Sequence, residues 1–262
     1  MDDRALTRQL REATYAVWRA EAGAHPDGEV AEHDGVLAWT SGVPVRYWNG
    51  AHVTAVPRDP EASLGWAAAW FAERNLPYGV LVPAELEPAL AAAAGARGLR
   101  LSAVQRCMAM SRKDFTPPAA VPAELEVRRT GPAELEDFLA VQVAAFGLDA
   151  DPARRFLGPP VGRPGWTHLT GYLAGEPVVS GLSLRTGNAV GVYGVGTTLA
   201  ARRRGYAAAV TAALVSRQFA AGATFAHLNP SELGAATYAR LGFREVGGFA
   251  IWLPPDGKPA GR

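Results

Sequence analysis

The sequence predicts an α/β protein of the mixed α+β kind, made of two units with similar element order in tandem. Three observations carry this. Short β-rich runs alternate with stretches of helical periodicity along the whole chain. A stretch at 112–123 (RKDFTPPAAVPA) holds three prolines and no periodic pattern, which is the composition of an extended connector. The two sides also align: Gly65-Trp-Ala-Ala-Ala69 with Gly205-Tyr-Ala-Ala-Ala209, and Arg97-Gly-Leu-Arg100 with Leu241-Gly-Phe-Arg244, at offsets of about 140 and 144 residues. The expected division is a first domain at 1–112, a linker at 113–123 and a second domain at 124–262.

In chain order, Leu6, Leu10, Ala13, Tyr15, Val17 and Trp18 recur at mostly helical spacing among charged residues, so an amphipathic helix over 3–22 opens the first half. A small meander follows at Gly35–Thr40, Val45–Trp48 and His52–Val56, punctuated by Ser-Gly-Val-Pro and Asn-Gly turn signals. Ala62–Asn75 reads as a helix, Tyr78–Val82 as a buried strand, Ala84–Ala94 as an alanine-rich helix and Leu101–Met110 as a strand. The second half opens with a strand at Leu125–Arg129 and a helix at Pro132–Phe146, then an irregular loop rich in Pro and Gly to about Pro164. Strands are expected near Trp166–Leu173, Val178–Arg185 and Ala189–Thr197. A helix at Gly205–Ala220, a strand at Thr224–Leu228, a helix at Glu232–Leu241 and a strand at Phe243–Trp252 complete it.

Composition excludes several function classes. Lys and Arg number 26 against 25 Asp and Glu, so the formal charge of +1 gives no reason to expect DNA or an anionic membrane as partner. One cysteine, Cys107, permits no intramolecular disulfide, and five scattered histidines without a CxxC pair leave no structural zinc set, so no metal is expected. Residues 1–20 lack the basic start and apolar run of a signal peptide, and no window approaches the length needed to span a bilayer. The expectation is a cytoplasmic protein, monomeric or homodimeric. The seven tryptophans are expected to pack the core, with Trp166, beside the irregular loop, the best candidate for a substrate contact.

The most informative stretch runs from Val195 to Ala207. A strand ends, a turn holds Arg202, Arg203 and Arg204, and Gly205 with Ala207 permit close backbone approach where a helix begins. A helix start of this kind presents unpaired N–H groups and a partial positive charge, which suits a pyrophosphate, and local arginines add charge-assisted contacts.

Arg202-x-x-Gly205-x-Ala207 after an apolar strand resembles the Arg/Gln-x-x-Gly-x-Gly/Ala acyl-CoA signature of the GNAT superfamily of N-acetyltransferases. Tyr238-Ala-Arg-Leu-Gly-Phe-Arg244 is similar to that superfamily's closing Tyr-x-x-x-Gly-Phe segment, and the strand at 224–228 lies between the two as the pattern requires. The resemblance covers 125–253, and reaches 30–111 only through the internal repeat. It implies two GNAT-like mixed sheets flanked by helices, acetyl-CoA as acyl donor, and an amine of a small molecule or peptide as acceptor. It further implies that backbone N–H groups from Arg203, Arg204, Gly205, Tyr206 and Ala207 hold the pyrophosphate, with Arg202 heading the turn. Val195, Gly196 and Thr197 would lie along the pantetheine arm, and a backbone N–H near Val195 would polarise the thioester oxygen.

Tyr238 matches the tyrosine that in many relatives protonates the departing thiolate. Ser231 stands where relatives often have an Asn contacting the pantetheine. The acceptor's base is harder to assign. Relatives often place a carboxylate on the central strands, whereas Ala189–Thr197 holds no Asp or Glu. His227 on the next strand is a candidate proton relay, Tyr193 could line the same cleft, and an amine that enters already neutral is the alternative. In the first half Ala62, Ser63 and Leu64 replace the three arginines, with Asp59 and Glu61 nearby, so one cofactor site is expected, in the second half. Two other readings stay open: a donor tethered to a carrier protein or a tRNA, and a CoA-binding or interaction module without turnover.

Overall fold

The computed structural model describes residues 3–255. The chain forms two compact units, one of residues 18–106 and 247–262, the other of residues 1–17 and 107–246. The division drawn from the sequence at 112 and 124 differs from this partition at both ends, and the reason lies in which strands close each sheet.

The first unit holds strands β1 (Glu29–His33), β2 (Val36–Thr40), β3 (Asn49–Val53) and β4 (Gly79–Pro83), with helices α2 (Pro60–Glu73) and α3 (Glu87–Ala96). The first three strands form an antiparallel meander, and β3 pairs parallel with β4. A parallel pair needs a crossover, which α2 supplies. The strand that pairs antiparallel with the far side of β4 comes from the C-terminal end of the chain: Phe249–Trp252 of β11 (Arg244–Leu253). Ala67, Trp70 and Phe71 of α2 pack on Val36, Val80 and Val82 of the sheet and on Leu90 of α3. Trp18, from the last turns of α1 (Asp3–Ala24), stacks on Trp39 with ring centroids 4.6 Å apart.

The second unit holds β6 (Glu126–Arg129), α4 (Leu135–Phe146), α5 (Ala150–Leu157), β7 (Trp166–Leu173), β8 (Glu176–Thr186), β9 (Ala189–Thr197), α6 (Tyr206–Ala220), β10 (Phe225–Leu228) and α7 (Ala235–Arg240). Strands β6 to β9 pair antiparallel in sequence order, and β9 pairs parallel with β10 across the α6 crossover. Beyond β10 the antiparallel partner is the end of β5 (Arg100–Ser111), residues Met108–Ser111, which precede this unit's own meander in sequence. Each unit thus takes one of its strands from the other half of the sequence. A linear cut cannot represent that, although both units do share one plan of meander, parallel crossover and antiparallel closing strand.

One face of the second sheet, with Met108, Met110, Val190, Val192, Ala226 and Leu228, packs on Tyr206, Val210 and Leu214 of α6. Gln142 of α4 reaches the opposite face at Ser180. Helix α1 buries Leu6, Leu10, Ala13 and Val17, the stripe expected from its spacing.

Three elements depart from expectation. Strand β1 (EVAEH) is charged and mostly exposed, so it carries no apolar alternation and forms by pairing with β2. Residues Arg46–Trp48, expected as strand, form a short 3-10 turn after Pro44. Helix α5 lies in the expected loop, and its Pro152 sits in the first turn, where the missing N–H has no intrahelical acceptor to lose. Among the described residues no helix is long and apolar enough to cross a membrane.

Candidate active site

The site begins where β9 and β10 part. Their register runs from Phe225 opposite Ala189 to Leu228 opposite Val192, and there β10 ends while β9 continues to Thr197. Residues Gly194–Thr197 keep β8 on one side and run on past the end of β10 on the other. Such an edge presents alternating N–H and C=O groups to an extended ligand.

Just beyond the last pair, β9 carries a bulge. Ser180 faces Gly196 and Leu182 faces Tyr193, so Gly194 and Val195 together oppose Gly181. Gly194 has φ +56°, a conformation that favours glycine. The buried amide Nε2 of Gln142 donates to the Gly194 carbonyl at 2.6 Å and to Ser180 Oγ at 2.9 Å.

The chain then turns into α6. Arg203 (φ +66°) and the N-cap Gly205 (φ +84°) are both left-handed, and Ala209 N–H donates to the Gly205 carbonyl as the first helical bond. No side chain caps this helix. The N–H groups of Tyr206, Ala207 and Ala208 therefore have no intrahelical acceptor, and together with the left-handed turn they form an anion-binding concavity at the positive end of α6. A non-glycine residue held left-handed costs about 1 kcal/mol, which Arg203 bears at this turn.

These elements enclose a cleft of about 930 Å³. Of the residues expected at the site, Val195, Gly196, Thr197, Arg202, Arg203, Gly205, Tyr206, Ala207, Ser231 and Tyr238 line it together. Two do not. Arg204 is not among the lining residues; it lies near Glu124, whose pKa is lowered by a backbone hydrogen bond, then by the hydrogen bond it accepts from Tyr206 at 2.8 Å, and least by the charge of Arg204. His227 lies in the middle of β10, paired with Gly191 and Ala109, and is 2% exposed. Burial lowers its pKa to about 4, its Nε2 has no hydrogen-bond partner, and its ring packs against Phe225 and Tyr193. His227 is not among the residues that line the cleft. Tyr193 is likewise not part of the lining, and Trp166 is buried with its ring 6.0 Å from that of His168.

Tyr238 is half-buried. Its ring packs edge-on against Phe243, burial raises its pKa above the usual tyrosine value, and its hydroxyl makes no hydrogen bond among the described residues. A phenol in this state is protonated at neutral pH and open to a ligand. Ser231 Oγ accepts from Gly234 N–H at 3.2 Å and so shapes the turn into α7. Arg202 is committed to the protein, since Nε donates to the Thr197 carbonyl at 3.1 Å and Nη2 to the Ala145 carbonyl at 3.2 Å.

Sequence reasoning missed Gln142, Phe146, Leu199, Leu233 and Arg240. Leu199 (78% exposed) and Leu233 (90% exposed) stand at the cleft with Phe146, an apolar mouth that solvent alone gives no reason to keep. Arg240 adds a third lining arginine to Arg202 and Arg203, and among the described residues the lining includes no carboxylate. Among the described residues no cluster of His, Cys, Asp and Glu could hold a metal ion.

The corresponding place in the first unit is built differently. Asp59 caps α2 by accepting from Ala62 N–H at 3.0 Å, and the Asp34 carboxylate accepts from the N–H groups of Arg58 and Asp59 just before the helix. Protein carboxylates occupy the helix start that the second unit leaves uncapped.

No family model and no curated protein matches the chain. Solved structures do. A GCN5-related N-acetyltransferase from Kribbella flavida is 22% identical, with 96% of each chain covered and a TM-score of 0.77. One from Sphaerobacter thermophilus is 18% identical, covering 90% of this chain and 89% of its own, at a TM-score of 0.64. A tandem GNAT protein from the clavulanic acid biosynthesis pathway is 16% identical, covering 99% of this chain and 97% of its own, at a TM-score of 0.61. The chain has the fold of the GNAT N-acetyltransferases, in tandem form.

Proposed function

We propose that the second unit is an N-acyltransferase that passes an acetyl group from acetyl-CoA to an amine of a small molecule or peptide, by direct attack in a ternary complex. The observation that carries this reading is the continuity of two binding surfaces: the edge of β9 at 194–197, beyond the end of β10, runs directly into the uncapped start of α6. An extended arm of amides ending in a pyrophosphate matches that pair of surfaces.

In this reading Val195 and Thr197 pair through their backbones with the pantetheine, beside Gly196 and Ser231. The N–H groups from Arg203 to Ala207 hold the pyrophosphate, with Arg203 and Arg240 adding charge and Arg202 fixing the turn. Acetyl-CoA supplies the activated acyl group as a thioester. The Val195 N–H polarises the thioester oxygen, and Tyr238 gives its proton to the departing thiolate. Among the described residues the lining holds no carboxylate and does not include His227, so the amine enters uncharged, its proton leaves to solvent, and solvent reprotonates Tyr238. Holding both reactants in line supplies most of the acceleration.

The first unit binds no second cofactor, since Asp34 and Asp59 already serve the start of α2. A donor tethered to a carrier protein or a tRNA is the lesser reading: three lining arginines and the apolar mouth of Leu199 and Leu233 suit a free nucleotide better than a single phosphodiester. The reducing chemistry implied by a lone buried cysteine accords with the cytoplasm. Release of free thiol from acetyl-CoA across a panel of amines tests the proposal, and no release with any amine contradicts it.

A further inference from the structure

We propose that Gln142 is a positioning residue for acyl transfer, one that sets the direction of the Val195 N–H. This rests on the acyl-transfer reading above.

The argument starts from the bulge. Placing Gly194 and Val195 against the single residue Gly181 takes one peptide out of the ladder and frees it to rotate. Its carbonyl, on Gly194, is held by the Gln142 amide at 2.6 Å, and the same nitrogen is anchored on the neighbouring strand by Ser180 Oγ at 2.9 Å. Gln142 itself is 2% exposed on a helix that is otherwise apolar on its inner side, with Phe138, Leu139 and Val141 buried around it. The side chain has little freedom, so the bond fixes a direction as well as satisfying an acceptor.

A trans peptide is planar, with its C=O and N–H antiparallel, and the described residues include no cis peptide. Holding the Gly194 oxygen toward Gln142 therefore turns the Val195 N–H to the side away from Gln142, and Val195 is the first β9 residue of the cleft lining. A preorganised donor loses most of its effect when it can swing, because stabilisation of a developing oxyanion depends on alignment fixed before the reaction. Gln142 touches neither substrate nor reacting atoms in this account; it acts through Val195.

Three variants and two readouts test it. Gln142→Met keeps the volume and removes the donor. The expected result is a fall in kcat of roughly 10- to 100-fold, less than or near the loss of a whole oxyanion donor, with KM for acetyl-CoA and calorimetric affinity for CoA within about twofold of wild type. Gln142→Glu, unable to donate when ionised, behaves like Gln142→Met at pH 8 and recovers activity as the carboxyl protonates. Ser180→Ala removes the other partner of the same nitrogen and leaves kcat within about threefold. Independently of turnover, amide hydrogen exchange over 193–197 quickens in Gln142→Met.

Unchanged kcat in a folded Gln142→Met enzyme overturns the proposal, as does a loss that Ser180→Ala shares in proportion to its melting temperature. Unchanged exchange over 193–197 overturns it whatever the activity. Wild-type protein that binds CoA yet releases no thiol with any amine overturns the acyl-transfer reading itself, and is told apart by needing no variant.

Discussion

Arg202 Nε donates to the carbonyl of Thr197 at 3.1 Å, so the first arginine of the turn is spent on the last residue of β9. Its second bond, to Ala145, ties the same turn to the end of α4. The residue that heads the signature thus builds the cleft and leaves the anion contacts to the backbone that follows.

Replacing Arg202 by alanine releases both carbonyls and loosens the turn. Losing charged hydrogen bonds at a binding site corresponds to a drop in acetyl-CoA affinity of about tenfold, measured by calorimetry, with the melting temperature of the unliganded protein changed little. A variant that melts far lower but binds as wild type contradicts this assignment.

Tyr238→Phe removes the hydroxyl and keeps the ring packed on Phe243. As the loss of a general acid, it lowers kcat by roughly 100-fold or more with KM for acetyl-CoA nearly constant. Burial holds the phenol above its usual range, so titration of Tyr238 causes no fall in the wild-type rate up to about pH 9, below the ordinary tyrosine pKa. A basic fall in rate near pH 7 that vanishes in Tyr238→Phe counts against the acid role.

Three buried histidines make folding sensitive to acid. Burial depresses His52 to about 3, and His168 and His227 to about 4. In the unfolded chain each takes a proton near pH 6.5, so between about 4 and 6.5 the unfolded state binds more protons than the native one. Stability from these groups is complete above pH 6.5 and is lost as pH falls toward 4. The melting temperature should drop over that window, and His227→Gln should drop less while keeping its kcat within about threefold. A kcat that collapses in a folded His227→Gln enzyme restores the relay.

Asp59→Ala removes the cap of α2 and costs about 1 kcal/mol of stability, seen in chemical denaturation. Binding of acetyl-CoA should not change if, as proposed, the only cofactor site is in the second unit. Altered affinity or stoichiometry contradicts the single-site reading.

Much of this was legible in the sequence because the requirements are local. Gly205 before an alanine-rich run, the arginines ahead of it and the Tyr238 segment are demands on a short backbone stretch, and all but the Arg204 side chain lie at the cleft. Gln142 left only a faint signal, one polar residue in the otherwise apolar run 138–146, because its partners are 38 and 52 residues away. The exchange of strands left none: only the far ends of β5 and β11 are strongly apolar, and nothing local states which parallel pair each will border. For His227, position on a central strand does not say whether a side chain meets the cleft or the packed interior.

The most direct test of the central claim is a calorimetric titration of the whole chain with acetyl-CoA, repeated for a variant with Arg202 and Arg203 both replaced by alanine. The account predicts saturable binding at one site per chain in the wild type and weakened binding in the variant. No heat of binding in the wild type, or equal affinity in the two proteins, contradicts it.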